Sequence, residues 1–158
     1  MRTTRTRRLG LCLALALGLS PLVAGYSQDR SAKEQFFEGK VVALAEALQK
    51  AGAKLDTDAA PHWLALRTEK GKLYPLLKDD GSRMFFKDAR LLNRPMRLTG
   101  RLVPGSELLQ VVHVHSYLKG KLHEVDYWCD ICSIRRGEKN VCECCGGPMV
   151  LHEDPLPK

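Results

Sequence analysis

The stretch CDICSIRRGEKNVCECCGG, Cys129 to Gly147, holds five of the chain's six cysteines. No other feature narrows the possible folds as much, because thiols this dense hold a metal, close disulfides or do redox chemistry. Their spacing is Cys129-x2-Cys132-x9-Cys142-x2-Cys145, with Cys144 in addition. Each C-x2-C pair can turn two sulfurs toward one point, and two pairs supply the four thiolates of a tetrahedral Zn2+ site. Gly146-Gly147 follow the second pair directly and permit a tight turn in which amide N–H groups face sulfur.

Disulfides are the competing reading. Five cysteines remain once the leader described below is removed, an odd number, and residues 142, 144 and 145 crowd together in a way disulfide geometry rarely tolerates. Cys144 sustains a third reading, a soft ion such as Cu+, which prefers thiolates. In thiol oxidoreductases C-x2-C opens a helix of a thioredoxin-like fold, and no βαβ pattern precedes Cys129.

The two pairs resemble a zinc ribbon over about 20 residues. That resemblance implies two knuckles at the tips of hairpins, with Cys129, Cys132, Cys142 and Cys145 as ligands and Cys144 as a spare thiol. The nine intervening residues are fewer than ribbons usually have. The knuckles are therefore expected on a compact loop, SIRRGEKNV, whose charge suits solvent and whose Gly137 permits a turn.

The other end of the chain has its own signature. Arg2, Arg5, Arg7 and Arg8 precede the apolar run LGLCLALALGL, which Ser20-Pro21 break, and Val23 and Gly25 are small residues before Tyr26. This is the pattern of a secretory signal peptide cleaved near Gly25. The alternative is an uncleaved anchor, although the run is shorter than the roughly 20 apolar residues a span needs. The arginines partly resemble a twin-arginine export signal, without its usual aromatic, and Cys12 is read as a passenger. The whole chain carries 25 basic and 18 acidic residues, a net +7, and losing the four arginines leaves 21 against 18, a net +3. The basic balance is thus largely a property of the leader, and it gives little support to nucleic-acid binding.

Residues 1–25 are accordingly read as signal peptide, 26–37 as a flexible leader, 38–125 as a β domain, 126–152 as the cysteine element and 153–158 as a frayed tail. Lys40-Val41-Val42 suits a strand running into a helix with Leu44, Ala47 and Leu48 at helical spacing and Gly52 as its stop. His62–Thr68 and Leu73–Leu77 read as a hairpin around Glu69-Lys70-Gly71-Lys72. Met84-Phe85-Phe86 is a short apolar patch, and Asp88–Leu92 suits a helical turn. Met96–Val103 reads as a strand with a bulge at Gly100, Leu108–Tyr117 is the strongest strand, and Leu122–Trp128 delivers the chain to Cys129.

This order is mainly β with one early helix. Through GKVV, WLALRTEKGKLYPL and RLTGRLVPG, the stretch from about Glu38 to Tyr117 resembles an OB-like small barrel of the kind found in exported bacterial proteins. The resemblance implies a fold more than a function.

Other chemistry is thin. His113 and His115 share a face of one strand and could bind metal, alone or with His123, but read better as surface residues. His152 is an alternative ligand, and His62 beside Trp63 reads as packing. Trp63, Tyr74, Phe85, Phe86 and Tyr117 could stack on bases, though most lie in apolar runs and read as core. No Gly-rich phosphate loop or G-x-S-x-G is present. The expectation is a non-catalytic exported binding or assembly module of the cell envelope with a structural zinc, acting on a protein or small-molecule ligand. Soft-metal handling and thiol redox are the alternatives.

Overall fold

The computed structural model describes residues 33–56 and 62–156. The signal-peptide, export and cleavage expectations lie outside the described residues, and no described helix is long and apolar enough to cross a membrane. In chain order the elements are β1 (Gln35–Ala43), α1 (Leu44–Lys50), β2 (Leu64–Arg67), β3 (Leu73–Pro75), α2 (Arg83–Lys87), a 3-10 turn (Ala89–Leu91), β4 (Pro95–Leu102), β5 (Leu109–Leu118), β6 (Lys121–Cys129), β7 (Ile134–Arg136) and β8 (Val150–Pro155). The protein is mainly β.

Most elements follow the local signals. The Gly52 stop is as expected: its φ of 92° lets the Ala53 amide reach back to the Leu48 carbonyl at 3.0 Å. β4 slips register between Thr99 and Gly100, where a side chain at Gly100 would strike the Gln110 carbonyl. α2 went unread as a helix. Five residues are too few to display a helical period, and tertiary contact sets it: Met84 and Phe85 are buried, and the Ser82 hydroxyl donates to the Leu77 carbonyl. Among the described residues there are therefore two helices and a 3-10 turn rather than one early helix.

The strands form one sheet in the order β3-β2-β1-β4-β5-β6-β7, with β8 also on β6. β1 is shared: Lys40–Ala43 pair with β2, while Gln35–Lys40 pair with β4. The strand changes neighbours where Gly39 sits so close to the Arg67 carbonyl that a Cβ would lie 2.2 Å from its oxygen. Beyond β3 a parallel bridge joins Leu76 to Leu109, and the Leu77 amide donates to the Leu109 carbonyl at 2.9 Å.

The leader and the tail are both shorter than expected. β1 begins at Gln35 and buries Phe37, so Gln35, Phe36 and Phe37 belong to the sheet and not to a leader. β8 takes in Glu153, Asp154 and Pro155, which were expected to fray. Glu153 explains this, since its carboxylate accepts from Arg94 and from the buried Ser116 hydroxyl at 2.6 Å. One core runs from Phe37, Val41 and Leu66 through Met96, Leu98 and Val125 to Tyr127, Cys129, Cys142 and Met149.

Candidate metal centre

β6 carries the sheet into the cysteine element. Its first residues pair with β5, from His115↔Glu124 to Leu118↔Lys121, and its last with β7, from Tyr127↔Arg136 to Cys129↔Ile134. β8 lines its other edge along His123–Trp128. Midway, the Tyr127 hydroxyl donates to buried Asp88 at 2.8 Å, and Asp88 also accepts from the Arg90 amide of the 3-10 turn. The Arg90 guanidinium against that carboxylate, with burial opposing and the Tyr127 hydrogen bond assisting, holds Asp88 well below the usual carboxylate range. β6 is thereby fixed to the body of the protein two residues before Cys129.

The two C-x2-C segments adopt one backbone pattern twice. After Cys132, Ser133 takes φ 54° and its amide donates to the Cys129 carbonyl at 2.8 Å. After Cys145, Gly146 takes φ 71° and its amide donates to the Cys142 carbonyl at 2.8 Å. Amides face sulfur in both: those of Cys132 and Ile131 toward Cys129, and those of Cys145 and Cys144 toward Cys142. The Cys142 amide bonds the Gly147 carbonyl at 2.8 Å, and Val141 bridges Pro148 to close the second turn.

The turn-forming role expected of the glycine pair falls on Gly146. A side chain on Gly147 would instead sit 3.3 Å from the Cys145 sulfur. The connecting loop bends at Gly137 and Glu138 without Gly137 entering the left-handed region. The loop's charges are engaged as well. Glu138 pairs with Lys87 at 2.7 Å and Arg83 at 3.5 Å, Arg135 with Asp126 and Asp154, and Arg136 with Glu143.

The sulfurs of Cys129, Cys132, Cys142 and Cys145 all lie within 4.8 Å of one another, and the Cys129 and Cys145 sulfurs are 3.6 Å apart. A tetrahedral zinc with bonds of about 2.3 Å places its sulfurs about 3.8 Å apart, so the four fit such an ion. All five cysteines of the element are free thiols. Because each of the four sulfurs neighbours the other three, the geometry converges on a point and does not single out two pairs.

Burial is one-sided. Cys129 and Cys142 belong to the core, while Cys132 is half-buried and Cys145 and Cys144 are exposed. The amides of Cys145 and Cys144 pull the Cys142 thiol down to about 7. The Cys144 thiol, and then that of Cys145, push Cys132 far up. Cys129 stands above its ordinary range: the Cys132 amide draws it down, but burial and the Cys142 and Cys145 thiols outweigh that pull.

No histidine joins the group. His113 and His115 face outward from β5, whereas His123 pairs with buried Ser116 and so points to the opposite side. His152 stacks on Trp128, centroids 5.9 Å apart, away from the sulfurs. Two readings of the aromatics are corrected. Trp63 is 57 % exposed with His62 exposed beside it, because both precede the inward-facing residues of β2. Phe85 is core as expected, with Tyr74, Phe86 and Tyr117 partly buried. Sequence reasoning missed Ser133, Asp88 and Tyr127. Ser133 and Tyr127 lie beside the cysteine motif, but nothing local gives Ser133 its left-handed turn or links Tyr127 to Asp88.

Compared with protein families, curated proteins and solved structures, the chain matches none. Fold and site together define a mainly β protein with a four-cysteine group positioned to bind a metal ion.

Proposed function

We propose that this chain is a non-catalytic, exported binding or assembly module of the cell envelope, in which Cys129, Cys132, Cys142 and Cys145 hold a structural Zn2+. The observation that carries this reading is the convergence of two matched turns on one four-sulfur point, with two of the thiols in the core. Four thiolates fill a tetrahedral ion and leave no position for substrate, and such closed sites are structural. The three-stranded β7-β6-β8 arrangement with a turn at the end of β6 supports a zinc-ribbon-like element. An OB-like barrel is supported by β1 pairing with both β2 and β4 and by the parallel Leu76↔Leu109 bridge.

The zinc takes the place of a core that the 126–152 segment is too short to build, so its binding free energy becomes folding free energy. Loading the metal-free protein with Zn2+ while following circular dichroism tests the structural role. One equivalent should order the cysteine element, and a signal indifferent to zinc would contradict the reading.

One observation favours a second reading, soft-metal handling. Cys144 is exposed, adjoins Cys132, and lies on the open side of the four-sulfur group with Cys145. If a thiophilic cargo such as Cu+ passes through that side, Cys144→Ser slows or abolishes its transfer. A structural zinc predicts unchanged metal content in that variant. Thiol redox draws less support, because Cys129-x2-Cys132 ends a strand and no helix starts there.

A further inference from the structure

On the outer surface of the sheet, Lys40 of β1 lies directly opposite Arg67 of β2. Cross-strand partners of this kind have Cβ atoms about 5 Å apart, and like charges so placed repel. Neither head group has an ion pair or side-chain hydrogen bond among the described residues, although most other arginines of the sheet are paired. The two cations border a groove of about 650 Å3 whose other walls include Pro95, Met96 and Tyr117. Tyr117 commits its hydroxyl to Glu38 at 2.6 Å, and Glu38 also pairs with Arg97, so that carboxylate is compensated; Tyr117 lines the groove with the Arg97 guanidinium 5.8 Å from its ring centroid. Glu69 also lines the groove, so with Glu38 compensated its remaining charges are two cations and one carboxylate, a net positive balance.

A cationic end beside an apolar, aromatic wall defines the chemistry of an occupant. Two opposed cations balance a dianion better than a monoanion, and a phosphate monoester carries close to two charges with oxygens enough for both head groups. The Pro95–Tyr117 wall suits the flat face of a ring. We propose that this groove binds a phosphate monoester carried on a ring, with the phosphate between Lys40 and Arg67 and the ring against Tyr117. The proposal rests on reading the chain as a binding module, and it names what the β domain takes. A sugar phosphate and a nucleoside monophosphate share this chemistry.

The test uses the metal-loaded mature protein, titrated with glucose 6-phosphate, adenosine monophosphate and inorganic phosphate and followed by calorimetry and amide NMR shifts. At least one ring phosphate should saturate a single site, shift amides of β1 and the 68–71 turn, and bind about tenfold tighter than inorganic phosphate. Whichever of the two binds tighter identifies the ring as sugar or base. Lys40→Gln and Arg67→Gln should each weaken binding about tenfold or more. Both should keep the zinc content and leave the melting temperature unchanged or raised, since each relieves repulsion. Absence of saturable binding by any probe, or wild-type affinity in the Lys40→Gln, Arg67→Gln double variant, would overturn the proposal. Equal affinity for inorganic phosphate would overturn the ring assignment. Metal content reads the cysteine site separately, so loss of zinc in the unmodified protein would count against the structural-zinc reading alone.

Discussion

Ser133 and Gly146 occupy the same position in the two cysteine turns, and both are left-handed. A residue with a Cβ pays about 1 kcal/mol or more there, and glycine does not. Ser133→Gly should therefore stabilise the element by about 1 kcal/mol, and Gly146→Ala should destabilise it by a similar amount, since open space around Gly146 leaves only the backbone cost. Competition against a zinc chelator, read for both variants, checks the two signs together. Tyr127 offers a different residue-scale prediction. Tyr127→Phe removes a hydrogen bond to a buried carboxylate and should cost about 2 kcal/mol in denaturant unfolding. Asp88 titrates below its unfolded range in the native protein, so its contribution is complete above the unfolded pKa and disappears as pH falls through the folded one. Losing the Tyr127 bond raises the folded value, and acid unfolding of Tyr127→Phe should begin at a higher pH than in the parent.

β6 is the element on which the arrangement depends. It belongs to the main sheet at Lys121–Glu124 and to the cysteine element at Tyr127–Cys129, with no linker between. Cys129→Ser should leave the β1–β5 body folded while residues 129–149 lose order, and Cys144→Ser should leave both intact. Hydrogen exchange of the two variants distinguishes these outcomes: protection lost across β1–β5 in Cys129→Ser would show that the metal supports the whole fold. Elements with strong local signals were legible in the sequence. The Gly52 stop, the bulge at Gly100 and the hairpin of β2 and β3 each depend on residues close in the chain. α2 was not legible, because its five residues are set by burial of Met84 and Phe85 against distant strands. Nor was the order of β8, since Glu153 finds Arg94 and Ser116 far away in sequence.

For the whole molecule, the four converging cysteines were readable because the chemistry of a metal fixes residue type and spacing together. What spacing does not convey is how the element joins the rest. Cys129 and Cys142 enter the same core as Phe37 and Leu98, so the cysteine element is less an appendage than a continuation of the sheet. Metal binding would also link the cysteine element to pH. With Cys129 and Cys132 raised and Cys142 near 7, metal-free protein at neutral pH keeps protons that an ion must displace. Zinc binding should release protons, measurable with an indicator dye, and affinity should weaken as pH falls. The most direct measurement is elemental analysis with thiol counting on the mature protein, purified from its native compartment without added metal. The account predicts one zinc per chain and one readily titrated thiol, Cys144. A chain with no metal and only one free thiol would contain two disulfides, and that result would contradict the account.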